Sequence, residues 1–396
     1  MNILIINSGE LPLPPVEGGA VEGLIDIYVK YLQHEKNMSL TIYSKYTKEA
    51  QQVTKNYNNN VIFKFIDTSK IQFKIEKVIR YILNKISFCY LGNAYIVQVL
   101  RLLKKERKKY DLIIVENAPF FGLKLKHKYS KKIVLHLHND YLNQKTRYKK
   151  QILHCYDQIW SISNFIKERV NSIENNNKNH VLYNGINLEK FYYRPKNKEL
   201  IKKFNIKKDE IIFICSGRLV PEKGILELVK AHKKAHINKS QLIIIGSPSY
   251  GKNSKTKYTQ MVLDEVKDCP NIKFTGYIKH EDINKFYSIG DVGIVPSKCN
   301  EAFGLSAVEF MASGLPVIVS NDGALPEIIN KSCGRVIEKE NLEENLEYEI
   351  KRMYKQEKEE REKFKKNAIS QSKKYSQDIY CKKIKTLIWN VGDFHE

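Results

Sequence analysis

Two cationic side chains lie five positions apart on one glycine-bounded loop of this 396-residue chain. The loop, Gly217–Gly224, carries Arg218 and Lys223 and follows the apolar run Ile211–Cys215. A guanidinium offers a fork of N–H donors, an ammonium offers a point charge, and glycines allow close approach of the backbone to a ligand. This combination matches a diphosphate better than it matches an ordinary loop.

A second loop carries two carboxylates eight positions apart. Glu301 and Glu309 follow the apolar run Val292–Val295, and the pattern predicts a helix that begins near Leu305. Backbone N–H groups at 303–306 would then face an anion, and Glu309, one turn into the helix, could reach a ribose hydroxyl. Glutamates are common on helices, so the spacing gains meaning only from the Arg/Lys loop upstream.

Paired glycines precede a predicted helix near the N-terminus. Gly18 and Gly19 come just before the apolar-periodic segment that starts at Val21. Exposed N–H groups at a helix start suit a phosphate, but an ordinary loop is an equal reading of these residues.

A histidine and an aspartate follow the strand-like run Ile133–Leu137. His138 and Asp140 stand at its carboxyl end, and strand alternation puts His136 on the same face as His138. A strand-end histidine can donate a hydrogen bond or carry a proton, and it can equally be a structural, hydrogen-bonded side chain.

Short apolar runs alternate with helix-periodic segments along the whole chain, which is typical of a parallel sheet covered on both faces. The rhythm restarts after Pro195. We therefore predict an α/β protein with a domain at 1–195, a second at 196–375, and a C-terminal helix at 376–396 that packs on the first. Ligands of such sheets bind beyond the carboxyl ends of the strands, where the polar loops above lie.

Composition narrows the function classes. The 67 Lys and Arg against 44 Asp and Glu give a net charge of +23, with 11 basic and 2 acidic residues in 70–110 alone. Such a field attracts nucleic acid, anionic lipid or phosphorylated molecules, or simply solvates the surface. Aromatic content excludes general disorder, no run approaches a membrane span, and seven scattered cysteines without a C-x-x-C pair argue against a zinc site. We expect a cytoplasmic protein.

Residues 71–86 combine an apolar stripe with basic residues. The stripe comprises Ile75, Val78, Ile79, Ile82 and Ile86, and the basic residues are Lys74, Lys77, Arg80 and Lys85. Two readings remain: an interfacial helix on an anionic membrane, or a helix packed on the core with its lysines outward.

Together these residues resemble the retaining glycosyltransferases of family 4. The resemblance spans most of the chain and rests on the Gly-Gly pair, the strand-end histidine, Asn184-Gly185, the Gly-Arg and Lys-Gly pairs, Phe274-Thr-Gly276-Tyr277, the Glu-x7-Glu motif and Pro326-Glu327. It implies the GT-B architecture, two Rossmann-like domains with open parallel sheets that face an interdomain cleft. One departure is Gly323-Ala324, where many relatives have two glycines.

The resemblance also implies roles. The second domain would bind the donor, with the diphosphate on Arg218 and Lys223, the ribose on Glu309, the base beside Tyr277, and the transferred sugar on Glu301. The remaining donor contacts would come from Gly19 and from Phe303, Gly304 and Leu305. The first domain would bind the acceptor through Gly18 and Asp140, with His138 near the reacting carbon.

The expected reaction is transfer of a sugar from a nucleoside diphosphate, with UDP the preferred nucleotide, and with retention of the anomeric configuration. The expected acceptor is a glycan or lipid-linked glycan in envelope, capsule or exopolysaccharide synthesis. Cations and helix N-termini would stabilise the leaving diphosphate, so we expect neither metal nor cofactor. The enzyme would be cytoplasmic, and its basic N-terminal domain could bind the anionic inner face of the plasma membrane. Alternatives are a basic nucleic-acid-binding protein, although no nucleic acid is expected without a binding motif, or another GT-B enzyme such as a phosphorylase or epimerase.

Overall fold

The computed structural model describes residues 1–106, 108–125, 129–247 and 256–391, which form two compact units. Unit 1 holds Met1–Tyr183 and the C-terminal residues from Asp378 onward, and unit 2 holds Asn184–Gln377. The units part upstream of the predicted boundary at 195/196. The reason is local: the Asn284 amide donates to the carbonyl oxygen of Lys190 at 2.5 Å, so the segment after Asn184 belongs to unit 2.

Unit 1 is built on a parallel seven-stranded sheet in the order β3-β2-β1-β4-β5-β6-β7. Its strands are β1 (Asn2–Ile6), β2 (Ser39–Lys45), β3 (Val61–Ile66), β4 (Tyr110–Glu116), β5 (Ser130–Leu137), β6 (Gln158–Ser161) and β7 (Asn179–Val181). Its first helices are α1 (Ala20–Leu32), α2 (Lys48–Val53), α3 (Ile71–Ile86), α4 (Ala94–Glu106), α5 (Gly122–Leu125), α6 (Lys149–Leu153) and α7 (Asn164–Asn171).

Unit 2 repeats the plan with a parallel six-stranded sheet in the order β10-β9-β8-β11-β12-β13. Its strands are β8 (Ile211–Ser216), β9 (Ser240–Ile245), β10 (Ile272–Phe274), β11 (Val292–Val295), β12 (Val317–Ser320) and β13 (Gly334–Ile337). Its helices are α8 (Lys198–Lys203), α9 (Ile225–Lys234), α10 (Lys257–Glu265), α11 (Ile283–Tyr287), α12 (Leu305–Ala312), α13 (Leu325–Ile328), α14 (Leu342–Lys355) and α15 (Lys358–Ser372).

Continuous apolar strands explain why both sheets are covered on both faces. In β1, Ile3 to Ile6 are all fully buried, and Ile5 is in register with Ile42 of β2 and Ile114 of β4. Side chains on opposite faces of one strand are both buried only when helices cover both sides of the sheet. The fold predicted from the sequence, an α/β protein with two parallel sheets, is therefore confirmed.

The last helix, α16 (Gln377–Val391), belongs to unit 1 from its second residue, Asp378, onward. Its buried face, which includes Tyr380, Ile384 and Ile388, joins the core cluster formed with β1 and α1. The ring of Tyr380 lies 6.5 Å from the ring of Tyr28, edge to face. Residues 392–396 of the predicted C-terminal segment lie outside the described residues.

Helix α3 is the exception to this pattern of burial. Phe73 is its buried residue, whereas Ile75, Val78, Ile82 and Ile86 are 55%, 59%, 52% and 71% exposed. The alternative of a core-packed helix is wrong for α3. Apolar residues that recur every 3.6 positions indicate that a helix has an apolar face, but they do not indicate what covers that face.

Candidate functional site

Two loops of unit 2 meet at the carboxyl ends of β8 and β11. One is the Gly217–Gly224 loop with Lys223, and the other is the loop that carries Glu301. The Lys223 ammonium donates to Glu301 Oε2 at 2.5 Å, and the Ser297 hydroxyl donates to the same oxygen at 2.8 Å. Gly224 brings the loops together: it has φ +64°, and a Cβ there would lie 2.0 Å from the carbonyl oxygen of Pro296. Only glycine permits that approach.

The backbone of Glu301 is fixed by the turn after β12. Its N–H donates to Asp322 Oδ2 at 2.9 Å, and its carbonyl accepts from the N–H of Ala324 at 2.8 Å. Gly323, at φ +56°, has no room for a Cβ, which would lie 2.1 Å from the carbonyl oxygen of Glu301. Ala324 has an ordinary φ of −86°, so the departure from a Gly-Gly pair introduces no strain.

The N-terminus of α12 lies directly beyond Glu301. Gly304 caps the helix at φ +99°, Phe303 is buried, and the helix begins at Leu305 as predicted. The first N–H groups of a helix lack intrahelical acceptors and carry a partial positive charge. Arg218, on the facing loop, is exposed, and within the described part of the chain its guanidinium makes no ion pair. This corner of unit 2 therefore suits an anion.

Glu309 lies deeper than the sequence suggested. Its residue exposure is 7%, and its oxygens accept from His280 Nε2 at 2.9 Å and from the Tyr287 hydroxyl at 3.1 Å. Burial, and then the negative charge of Glu309, raise the pKa of Tyr287, which keeps that hydroxyl a donor. The Lys190 ammonium lies 3.2 Å from His280 Nδ1. A ribose bound by Glu309 would share the carboxylate with these partners.

Tyr277 is exposed just after β10, beside Gly276, whose carbonyl accepts from the Gly246 N–H at 3.1 Å. It thus lies beyond the carboxyl end of its strand, where ligands of open sheets bind. His280 and Ser297 are contacts of this region that the sequence did not single out.

In unit 1, Gly18 and Gly19 have φ of +83° and +101°, and Gly19 is the N-cap of α1. Glu22, in the first turn, lies close to Gly19, because a Cβ on Gly19 would be 2.3 Å from Glu22 Oε2. Burial raises the pKa of Glu22. The helix start is therefore already flanked by a carboxyl group of the protein.

His138 does not stand alone at the end of β5. Its Nε2 lies 2.8 Å from Glu116 Oε2, and the residue is 4% exposed. His136 Nδ1 and the Tyr28 hydroxyl approach the same carboxylate at 3.1 Å and 2.7 Å. Glu116 was missed from the sequence. The available signal was its position at the end of the run Leu112–Val115, since parallel pairing of β4 with β5 puts Glu116 opposite His136.

The environment of this cluster shifts its proton affinities. Burial alone would raise the pKa of Glu116, but the charge of His136 and hydrogen bonds from both histidines hold it well below its usual range. Burial, and then His136, lower the pKa of His138 to about 4. By donor type the three side chains could hold a divalent metal ion, since their ligand atoms lie within 4.8 Å of one another.

Asp140 is tied into its own loop. One oxygen accepts from Arg169 Nε at 2.9 Å and the other from the Asn143 amide at 2.9 Å. The structure therefore brings together Lys223, Glu301 and the N-terminus of α12 in unit 2. In unit 1 it joins His138 to Glu116 by a hydrogen bond, and it pairs Asp140 with Arg169 and Asn143 of its own unit.

Two family profiles match the chain, one mainly in unit 1 and one in unit 2. The family described as Glycosyltransferase Family 4 matches residues 58–190, and Glycosyl transferases group 1 matches residues 196–371. The chain belongs to glycosyltransferase family 4. The membership of family 4 read from the motifs is confirmed.

Individual relatives agree with this membership. The chain is 33% identical over 153 residues to the lipopolysaccharide 1,2-N-acetylglucosaminetransferase of Salmonella typhimurium, a match that covers 38% of this chain and 40% of the relative. A glycosyltransferase from Rickettsia africae shares the fold with a TM-score of 0.75 and 22% identity, covering 100% of this chain and 99% of the other. Anabaena Alr3699/HepE, solved in complex with UDP and glucose, has a TM-score of 0.74 and 16% identity, covering 98% and 99%. The fold is therefore GT-B. Within the described ranges, no helix of this family member is both long and apolar enough to cross a bilayer.

Proposed function

We propose that this chain transfers a sugar from a nucleoside-diphosphate sugar to a glycan acceptor. The donor nucleotide we propose is UDP. One observation carries the proposal: Lys223 pairs with Glu301 just before the N-terminus of α12 in unit 2, and Arg218 is exposed on the same loop as Lys223. A diphosphate is the ligand that such a set of cations and N–H groups fits best. The complex of the fold relative HepE with UDP and glucose supports this choice.

The leaving group determines what these residues must do. When the bond from the anomeric carbon to the phosphate oxygen breaks, negative charge grows on the diphosphate. Arg218, Lys223 and the N–H groups of α12 would stabilise that charge more in the transition state than in the intact donor. These fixed cations can serve where other transferases use a metal ion, so we propose a metal-independent reaction.

Glu301 would hydrogen-bond the hydroxyls of the transferred sugar. Its ion pair with Lys223 and its bond from Ser297 hold the carboxylate at the loop junction. Attack by the acceptor hydroxyl on the face from which the diphosphate departs would retain the anomeric configuration. In that scheme no enzyme carboxylate acts as a nucleophile.

The acceptor we propose is a lipid-linked glycan of the cell envelope. The similarity to a lipopolysaccharide N-acetylglucosaminetransferase supports an envelope pathway. Helix α3 supports a lipid surface, because its apolar residues are open to solvent and three exposed lysines, Lys74, Lys77 and Lys85, lie among them. We propose peripheral binding to the inner face of the plasma membrane.

Ion pairs explain how α3 presents that face. Glu76 accepts from Arg80 at 2.9 Å and from Arg101 of α4 at 3.0 Å, which anchors α3 to α4. Arg80 is therefore committed to an internal contact, and the lysines carry the charge available to lipid headgroups. The apolar stripe remains uncovered by the described residues of unit 1.

Vesicle cosedimentation tests the membrane proposal. Changing Lys74, Lys77 and Lys85 to Gln should weaken binding to phosphatidylglycerol vesicles by about 1 kcal/mol per residue. The matched control removes three exposed lysines of α15 in unit 2, Lys358, Lys363 and Lys366, and should bind as the wild type does. Absence of wild-type binding to anionic vesicles at physiological salt would remove this part of the proposal.

A nucleotide-sugar panel tests the reaction itself. UDP-glucose, UDP-galactose, UDP-N-acetylglucosamine and GDP-mannose would be screened by thermal shift with EDTA present, because a bound donor stabilises by RT ln(1 + [L]/Kd). At least one should raise Tm and release its nucleotide when acceptor is added. No response to any donor, together with salt-sensitive DNA binding, would favour the nucleic-acid alternative.

A further inference from the structure

A cavity of about 620 Å³, the unit 1 pocket, is lined by the segment that follows α3 and by the helices α5 and α6. Pockets of about 300 to 1,000 Å³ are the size that holds small ligands. Helices α5 and α6 follow the carboxyl ends of β4 and β5 in the chain, and ligands of open sheets bind at that edge. The residues proposed to bind the donor belong to unit 2, so they leave this pocket without a role.

One lysine that lines the unit 1 pocket has no counter-ion. The stem of Lys124, on α5, lies against Gly92, where an added Cβ would be 3.7 Å from Lys124 Cε. The side chain is half-buried, and its ammonium makes no ion pair or hydrogen bond with any residue that the structure describes. Withdrawing a charge from water costs free energy unless an opposite charge compensates it. An anionic group is therefore the ligand that suits this wall.

Aromatic rings supply an apolar part of the same pocket. Phe88, Tyr90 and Tyr148 line it, and Phe88 is 98% exposed. Phe88 comes two residues after Ile86, the last residue of α3, which is 71% exposed. The exposed apolar side chains of α3 therefore continue along the chain to the pocket. An apolar chain that leaves a membrane at α3 has a continuous apolar path towards Lys124.

Arg147 ties the pocket to the end of α3. Its guanidinium donates to the carbonyl oxygens of Asn84 at 3.1 Å and Ser87 at 2.7 Å, and it lies 4.6 Å from the centre of the Tyr148 ring. Tyr148 has φ +60°, a left-handed conformation that a non-glycine residue keeps only when its surroundings enforce it. The wall that carries Tyr148 is therefore held in place, and it is joined to the helix proposed to lie on the membrane.

We propose that the unit 1 pocket binds the phosphate-bearing head of a lipid-linked acceptor, with a phosphate oxygen on Lys124 and the adjoining apolar chain against Phe88 and Tyr148. This inference rests on the transfer reaction and the membrane binding proposed above, and it adds where the acceptor is held. An ammonium binds a phosphate through charge-assisted hydrogen bonds. The aromatic rings offer apolar surface that a soluble sugar phosphate would leave unused.

Cys89 reports directly on occupancy of the pocket. It lines the pocket and is exposed, and Cys299 of unit 2 is exposed as well. The probe is farnesyl diphosphate, which joins a short apolar chain to a diphosphate, and peptide mass spectrometry follows alkylation of both thiols by iodoacetamide. At about ten times its Kd the probe should slow alkylation of Cys89 about 10-fold, because the free protein falls by the factor 1 + [L]/Kd. Shielding of Cys299 alone would place the probe on the loop of Glu301 and overturn the proposal.

Lys124→Gln tests the cation in the same assay. Loss of its charge-assisted hydrogen bonds should weaken the protection of Cys89 by farnesyl diphosphate about 10- to 100-fold. The matched control is Lys167→Gln, which removes a half-buried lysine of α7 that does not line the pocket and whose ammonium is likewise unpaired among the described residues. This control should bind as the wild type does. Wild-type affinity in Lys124→Gln would overturn the proposal.

Two further probes separate the sources of the phosphate, and they need only the unmutated protein. Pyrophosphate lacks the apolar chain and farnesol lacks the phosphate, so each should protect Cys89 only at concentrations about 10-fold higher or more. Equal protection by pyrophosphate would assign the pocket to a soluble phosphate and overturn the proposal. Equal protection by farnesol, or no protection by any probe, would also overturn it. The assay requires no sugar transfer, so a protein that protects Cys89 but transfers no sugar would contradict the proposed function and not this site.

Discussion

Gly224→Ala is the substitution whose consequence the structure defines most directly. The residue has φ +64°, and its new Cβ would lie 2.0 Å from the backbone carbonyl oxygen of Pro296. The left-handed conformation costs a non-glycine residue about 1–2 kcal/mol, and the contact with backbone oxygen cannot be relieved by a rotamer change. The loop that carries Lys223 must therefore move by about 1 Å or more to restore ordinary van der Waals separation.

Such a movement separates Lys223 from Glu301, which are 2.5 Å apart in the structure. Displacement of a catalytic group by about 1 Å can cost on the order of 100-fold in rate. We expect Gly224→Ala to lower kcat by roughly that factor and to lower the free energy of unfolding by more than about 1 kcal/mol. Urea unfolding and steady-state transfer assays measure the two effects.

Gly314→Ala is the matched control. Gly314 has φ +83°, but the nearest neighbour of a Cβ added there would be a side-chain atom, Tyr193 Cδ2, at a distance of 3.0 Å. It should show the backbone strain without the loss of kcat. Wild-type kcat and donor affinity in Gly224→Ala would refute the idea that loop contact positions Lys223.

Three further results are expected. Glu301→Gln and Glu309→Ala should each weaken or abolish transfer while the protein stays folded. The expected cost is about 1.5–3 kcal/mol for each lost charged hydrogen bond. Wild-type turnover in both variants would contradict the assignment of these residues to the donor site. EDTA should leave the rate unchanged, whereas complete loss that Mg²⁺ restores would contradict the metal-free scheme. Stability should decline as pH falls from about 6.5 to 4, because burial lowers the pKa of His232 to about 4 and the unfolded state therefore binds its proton first. His232→Leu should remove about 3 kcal/mol of that decline in acid urea titrations, and an unchanged decline would contradict burial as its cause.

The sequence predicted the elements that are apolar and continuous. The runs at 211–215 and 292–295 are strands of unit 2, the run at 133–137 belongs to a strand of unit 1, and α12 begins at Leu305 as expected. Strand β7, Asn179–Val181, escaped notice because it is three residues long and two of the three are polar. A short edge strand is held by its partner's backbone, which leaves little pattern in its side chains.

The candidate site was predictable where one loop supplies its residues. Arg218 and Lys223 share a loop, so their chemistry is visible in the sequence. Glu116 lies 22 positions before His138, and only the pairing of β4 with β5 brings them together. The partners of Glu309 were hidden for the same reason, because His280 approaches it from a different segment.

The exposure of α3 could not be read from sequence either. An apolar stripe of the same period occurs on helices packed against a core and on helices that lie on a membrane. The distinction comes from the anchoring of Glu76 to Arg101 of α4, which leaves the isoleucines of α3 outside unit 1.

The most direct test of the proposed reaction is kcat at saturating donor for Arg218→Ala, Lys223→Ala and the double variant. If these cations stabilise charge on the departing diphosphate, each single variant should lose on the order of 10²- to 10³-fold in kcat, and the double variant should lose less than the product because both act on one charge. Arg218→Lys should not restore the rate fully, since the planar fork of donors is absent. Raised KM with unchanged kcat in both single variants would show that they only bind the donor, and it would contradict the leaving-group role.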